Sequence, residues 1–157
     1  TGEVMGFDTN FGHAFAKSQI STGINLPLKG NIFISVKDKD KPFIIDFSKN
    51  LISLGFKLIC TKGTGNFLIE EGLKISFVNK AREGRPHIVD MIKNKDIVLI
   101  FNTTEGNQSI SDSFSLRQAA LHTNIPYYTT ISGCNAAVMA LETLIKSELR
   151  IKSLQSY

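Results

Sequence analysis

The chain has 157 residues, with 18 Lys and Arg against 14 Asp and Glu, and carries a formal net charge of +4 at pH 7. Its 42% hydrophobic content, eleven Phe and mean hydropathy of +0.01 supply enough apolar surface for one core, which excludes an intrinsically disordered chain. Cys60 and Cys134 are too few for a disulfide framework or a four-ligand zinc site.

Further exclusions follow from pattern. A reducing, cytoplasmic setting is expected, because no apolar run of membrane-spanning length and no signal-peptide pattern is present. The charge carries no helix-turn-helix, zinc-finger or RNP signature, so neither nucleic acid nor membrane is an expected partner.

In chain order, residues 1–28 stand apart. The chain opens on Thr1-Gly2-Glu3 without an initiator Met, which reads as a piece of something longer. A short amphipathic stretch from Phe11 to Ile20 precedes Ser21, Thr22, Gly23, Pro27 and Gly30, so residues 1–28 are expected to be a connector and the globular unit to span 29–157. Short apolar runs then follow at Asn31–Val36, Lys57–Cys60, Ile75–Val78, Ile97–Phe101 and Pro126–Thr129, and they read as buried strands. Between them lie helical stripes: Ile44, Phe47, Leu51 and Leu54, stopped by Gly55; Phe114, Arg117, Ala120 and Leu121; and Val138, Leu141 and Ile145. This alternation predicts an α/β, doubly wound, mostly parallel five-stranded sheet with helices on both faces.

In such a sheet, ligands bind beyond the carboxyl ends of the strands. The second strand is followed by Thr61-Lys62-Gly63-Thr64-Gly65-Asn66, with a helix expected from Phe67. Hydroxyls, a lysine and glycines at a strand-to-helix turn suit a phosphate, although the Gly-Lys-Ser/Thr ending of a Walker A loop is missing. As an alternative, Thr64 would simply cap its helix. The third strand leads into Asn79-Lys80, Arg82, Arg85 and His87, the fourth into Asn102-Thr103-Thr104-Glu105, and the fifth into Thr129, Thr130 and Ser132. Together these loops predict an anion pocket in which Lys80 and the Thr61 and Thr64 hydroxyls hold a phosphate while Asn102, Thr103 and Thr104 read a sugar or base. Lys37, Lys39 and Lys41 alternate with Asp38 and Asp40 and read as a solvated charged run.

A catalytic base is not evident. Glu105, Asp112 and His87 are the candidates, with helix capping as the plainer role for Asp112, while His87 follows Pro86 at an expected helix start. No His or Cys pair stands at metal-ligand spacing. Cys134, near the start of the last helix, reads as a small packing residue.

The blocks Thr1-Gly2-Glu3-Val4-Met5-Gly6, Gly55-Phe56, Thr61-x-Gly63-Thr64, Val78-Asn79-Lys80, Glu83-Gly84-Arg85-Pro86-His87-Ile88, Ile92-Lys93-Asn94 and Asn102-Thr103-Thr104-x-Gly106 resemble one family in unbroken order. It is the large chain of glutamine-dependent, bacterial-type carbamoyl-phosphate synthetase, at its C-terminal allosteric domain of methylglyoxal-synthase-like fold. The first block resembles the end of the preceding ATP-grasp domain. The resemblance implies a regulatory, non-catalytic domain of an ATP-dependent ligase serving pyrimidine and arginine biosynthesis. UMP inhibits and IMP activates from one pocket, and ornithine activates from a neighbouring site. By position, it implies nucleotide contacts at Lys41, Thr61, Thr64, Lys80, Asn102 and Thr104, with Thr103 and Asp112 close by, and an ornithine-site contribution from Thr130. The other large-chain domains and the glutaminase small chain are the implied partners. ATP, magnesium and potassium belong to those other domains, and no cofactor is implied here. An enzyme of methylglyoxal synthase type is the alternative, but its pattern puts a catalytic Asp in a Gly-Gly-Asp stretch where this chain has Glu83-Gly84-Arg85-Pro86-His87.

Overall fold

All five apolar runs become strands of one sheet, in a computed structural model that describes residues 3–80, 83–106 and 113–156. They are β1 (Asn31–Ser35), β2 (Lys57–Cys60), β3 (Ile75–Phe77), β4 (Ile97–Asn102) and β5 (Tyr127–Tyr128). Every pairing is parallel and the order is β3-β2-β1-β4-β5. The sheet grows outward from β1 through β2 to β3, then the chain returns to the far side of β1 for β4. β1 and β4 therefore flank the point where the winding reverses, with Ser35 in register with Asn102 at their carboxyl ends.

Alternation along the strands sorts the core into two clusters. Ile32, Ile34, Leu58, Leu99 and Phe101 face one side, where they meet α1 (Phe11–Ser21), α2 (Ile45–Ser53), α3 (Lys62–Glu70) and α6 (Ile131–Lys146). Phe33, Ile59, Ile97 and Ile100 face the other, under α4 (Ile88–Lys93) and α5 (Phe114–His122). Each such fully buried Leu, Ile or Phe contributes about 1.5–3 kcal/mol. The doubly wound architecture expected from the sequence is thus observed, with a sheet that is parallel throughout where a mostly parallel one is expected.

Local details depart from the sequence expectations in three places. α3 begins at Lys62, not Phe67, because Thr61 is extended and serves as its N-cap, so Gly63 and Gly65 lie inside the helix. Gly65 lets the ring pack closely there: a Cβ on it would sit 2.6 Å from the Phe77 ring, which would have to shift. α5 turns Leu116, Ala119 and Ala120 inward and leaves Phe114 and Leu121 exposed, so its inner face is not the stripe read from the sequence. The segment before residue 29 also folds onto the sheet unit. α1 lies along α6, so closely that a Cβ on Gly12 would meet Thr143 Oγ1 at 2.2 Å, and Tyr128 donates from its hydroxyl to Gln19 Oε1 at 3.0 Å. By contrast, Gly55 ends the α2 region at φ 93°, a left-handed conformation that suits its role as the stop.

Cys60 and Cys134 are buried and free, and burial pushes both thiols up to about 12, which fits the packing role expected of Cys134. No helix among the described residues is long and apolar enough to cross a membrane.

Candidate functional site

Where the winding reverses, the chains leaving β1 and β4 diverge and leave a cavity of about 560 Å³. Its floor is apolar, made by Phe33, Ile88 and Leu116 from the α4 and α5 side of the sheet. Polar groups rim it from every strand end but that of β5: Ser35, Lys37, Asp38 and Lys39 after β1, Thr61 after β2, Lys80 after β3, and Asn102, Thr103, Thr104 and Glu105 after β4.

Hydrogen bonds lock this rim. The Ser35 and Thr61 hydroxyls lie 3.0 Å apart and tie β1 to β2. Thr103 N donates to Ser35 O at 3.1 Å, and Thr103 Oγ1 accepts from Lys37 N at 3.2 Å, which ties β1 to β4. Asn102 is buried, and its Nδ2 donates to Ser113 Oγ at 3.1 Å and to the Tyr127 hydroxyl at 2.5 Å. Behind the rim, Arg117 Nη2 donates to Thr104 Oγ1 at 3.4 Å.

A 3-10 turn, Asp38–Ile44, folds back after β1 and carries Lys41 to the start of α3: a Cβ on Gly63 would lie 3.8 Å from Lys41 Nζ. The first amides of α3 have no acceptor within the helix, and its N-cap Thr61 makes no side-chain cap bond. Those amides, the positive helix end and the Lys41 ammonium therefore face one small region, an arrangement that suits a phosphate.

Among the described residues, the three carboxylates of the segments that follow β1 and β4 are engaged with lysines. Asp38 lies 2.7 Å from Lys41 Nζ, Asp40 lies 3.7 Å from Lys37 Nζ, and Glu105 pairs with Lys39. Hydrogen bonding from Lys41 holds the Asp38 carboxyl below its ordinary value, and Lys39 does the same for Glu105. Both stay ionised near neutrality and are weak proton acceptors there. His87 caps α4, where its Nδ1 accepts from Asp90 N at 3.3 Å and its own N–H donates to Asp90 Oδ2 at 3.2 Å. Among the described residues no group of His, Cys, Asp and Glu could hold a metal ion.

The structure thus brings Thr61, Lys80, Asn102, Thr103 and Thr104 around one cavity, with Lys41 beside the adjoining helix end. Thr64 is turned away from the cavity: its hydroxyl accepts from Val36 N at 3.1 Å and donates to Val36 O at 3.4 Å, clamping α3 to the end of β1. It does not cap α3. Thr130 is the N-cap of α6, accepting from Gly133 N at 3.1 Å, and lies beyond β5 outside the cavity wall. Asp112 lies outside the described residues. Sequence reasoning did not single out Ser35, Ser113, Arg117 or Tyr127, and it set Lys37 and Lys39 aside as solvated charge. Ser35 had a usable signal, a hydroxyl at the carboxyl end of the first strand, whereas Arg117 and Tyr127 act across the fold and had none.

Comparison with known proteins agrees with this architecture. A family model described as MGS-like domain matches residues 43–129. The carbamoyl phosphate synthase large chain of Myxococcus xanthus (strain DK1622) is 50% identical over 157 residues, covering 100% of this chain and 14% of that protein. The corresponding large chain of Rhizobium meliloti (strain 1021) is 47% identical with the same coverage, so the chain spans 14% of the length of both relatives. Among solved structures, methylglyoxal synthase from Elizabethkingia anophelis NUHP1 superposes with a TM-score of 0.59 at 16% identity, over 72% of this chain and 79% of that one, a likeness of fold. The chain belongs to the MGS-like domain family, in the form that matches carbamoyl phosphate synthase large chains.

Proposed function

We propose that the chain is the regulatory domain of a glutamine-dependent carbamoyl phosphate synthase large chain, and that its cavity takes UMP as inhibitor and IMP as activator. The observation that carries this reading is the cavity at the β1–β4 junction, where hydroxyls and lysines converge beside a free helix N-terminus and where Asp38, Asp40 and Glu105 are each paired with a lysine. Its volume of about 560 Å³ falls within the size range of small-molecule sites. The phosphate is held by the Thr61 hydroxyl, the α3 amides, Lys41 and Lys80. Thr64 contributes through its backbone N–H, since its hydroxyl is committed to Val36. Asn102, Thr103, Thr104 and Asp112 read the sugar and base. Charge-assisted hydrogen bonds of this kind contribute about 1.5–3 kcal/mol each, enough in sum for micromolar affinity.

The domain itself performs no chemistry in this reading and holds no cofactor; ATP, magnesium and potassium serve the catalytic domains. Its partners are those domains and the glutaminase small chain, in the cytoplasm, in a pathway leading to pyrimidines and arginine. Nucleotide binding biases a distant active site by about 1–3 kcal/mol, and the coupling is reciprocal. Thr130 supplies one side of an ornithine site whose acidic ligands come from elsewhere, so ornithine alone binds this chain weakly.

Calorimetric titration with UMP and with IMP tests the reading: saturable heat for both, each displacing the other, is expected. A folded sample silent to millimolar amounts of either would contradict it. The fold shared with a methylglyoxal synthase favours one rival, a phosphate-eliminating enzyme. Release of methylglyoxal from dihydroxyacetone phosphate by the purified chain would establish that rival instead.

A further inference from the structure

The rim holds several cations, but they differ in company. Lys37, Lys39 and Lys41 each have a carboxylate within ion-pair distance. Lys80 has none among the described residues but is exposed to water, whereas Arg117, which stands behind the rim, also has none among them and its Nε is buried without a hydrogen-bond partner. A guanidinium stays charged at any accessible pH and offers five N–H donors. Leaving one of them buried and unanswered is costly, and such groups are ordinarily paired with an acceptor. Arg117 spends only a long bond, 3.4 Å, on Thr104 Oγ1, and Thr104 lines the cavity. Leu116, the residue before Arg117 on α5, forms part of the cavity floor.

Position matters as much as charge. Lys41 and the α3 N-terminus stand at the carboxyl end of β2, Thr104 follows β4, and β1 lies between. At about 4.8 Å per strand, the two ends of the site are about 10 Å apart. A phosphate at the α3 end therefore lies about two strand spacings from Thr104, so the group that Thr104 meets is a different part of the same ligand.

We infer that Arg117 is a positioning residue that acts through Thr104 to recognise an acceptor oxygen at the ligand's second end. Thr104 Oγ1 accepts from the guanidinium and so turns its own proton toward the cavity, where the unneutralised charge behind it strengthens that donor. This rests on the anion reading proposed above and narrows its ligand class: a phosphorylated molecule long enough to span the site and carrying a carbonyl oxygen at its far end, as a keto nucleobase does. A three-carbon phosphate or a bare sugar phosphate fills only the α3 end.

The test compares UMP with ribose 5-phosphate by calorimetry on the whole chain, as wild type, Arg117→Gln and Arg117→Lys. Wild type is expected to bind UMP more tightly than ribose 5-phosphate. Arg117→Gln should weaken UMP about tenfold, the scale of one lost charged contact, while ribose 5-phosphate is unchanged, and Arg117→Lys should recover part of the loss. Equal losses for both ligands, or no loss for either, would overturn the inference. Equal wild-type affinity for the two ligands would also overturn it, yet would leave the phosphate site standing. Wild type that binds neither ligand refutes the proposed function itself. Should Arg117→Gln fail to fold, Thr104→Val must show the same UMP-selective loss, and failure of that pattern overturns the inference equally.

Discussion

The two faces of the sheet are built to different ends. Under α1, α2, α3 and α6, twenty described residues form one buried cluster, closed by the Phe47–Phe101–Tyr128 aromatic contacts at 5.5 and 6.0 Å. Under α4 and α5 the cluster has ten residues, and its upper end opens into the cavity. Phe33, Ile88 and Leu116 belong to both that smaller core and the cavity floor. One face therefore secures the fold, while the other is incompletely packed and leaves a cavity over an apolar base. Substitutions should separate accordingly: those on the closed face change stability, and those at the rim of the open face change binding.

The largest expected effect tests the closed face. Phe101→Ala removes a fully buried ring from between Phe47 and Tyr128, and a loss of about 3–5 kcal/mol in urea unfolding is expected. A loss under about 1 kcal/mol would mean that this face is not the main support. Next comes Gly65→Ala, where a Cβ would lie 2.6 Å from Phe77 on the edge strand. About 1–3 kcal/mol of destabilisation is expected, with faster amide exchange along β3 as its local signature. At the open face, Lys80→Ala should leave the unfolding midpoint unchanged, since Lys80 is exposed, while weakening nucleotide about tenfold or more. Unchanged affinity would remove Lys80 from the site.

The smallest effect concerns the two cysteines. Their thiols sit at about 12 in the fold against an ordinary 9.0, so the unfolded chain loses these protons first as pH rises. Their contribution is fully present below about 9 and is lost as pH climbs toward about 12, because the unfolded state then binds fewer protons than the native one. Iodoacetamide at pH 8 should accordingly label neither thiol in the native protein and both after denaturation. Rapid native labelling of Cys134 would contradict its buried packing role.

Much of this division was legible in the sequence, and the illegible part has a common cause. Strands, the Gly55 stop and the rim residues Thr61, Lys80 and Asn102 to Thr104 follow from local rules: apolar runs, a left-handed glycine and the preference of ligands for strand carboxyl ends. Thr64 shows the limit. Its hydroxyl points into the backbone of Val36, a choice made by how α3 docks on β1 and not by its own neighbours. Lys37 and Lys39 looked like solvated charge because the alternating run around them is polar, and only the backbone following β1 places them beside the cavity. On α5 the packing against α4 overrode the weak stripe, exposing Phe114 and Leu121. Arg117 matches that stripe by spacing alone, and the reason it matters is a buried Nε that no described residue answers.

Backbone amide shifts followed through a UMP titration would test the central claim most directly. The account predicts saturable shifts at Ser35 to Lys41, Lys62 to Thr64 and Asn102 to Thr104, with Leu51, Leu68 and Leu141 on the closed face unmoved. Shifts confined to the closed face or the termini, or no saturable shift at millimolar UMP, would contradict it.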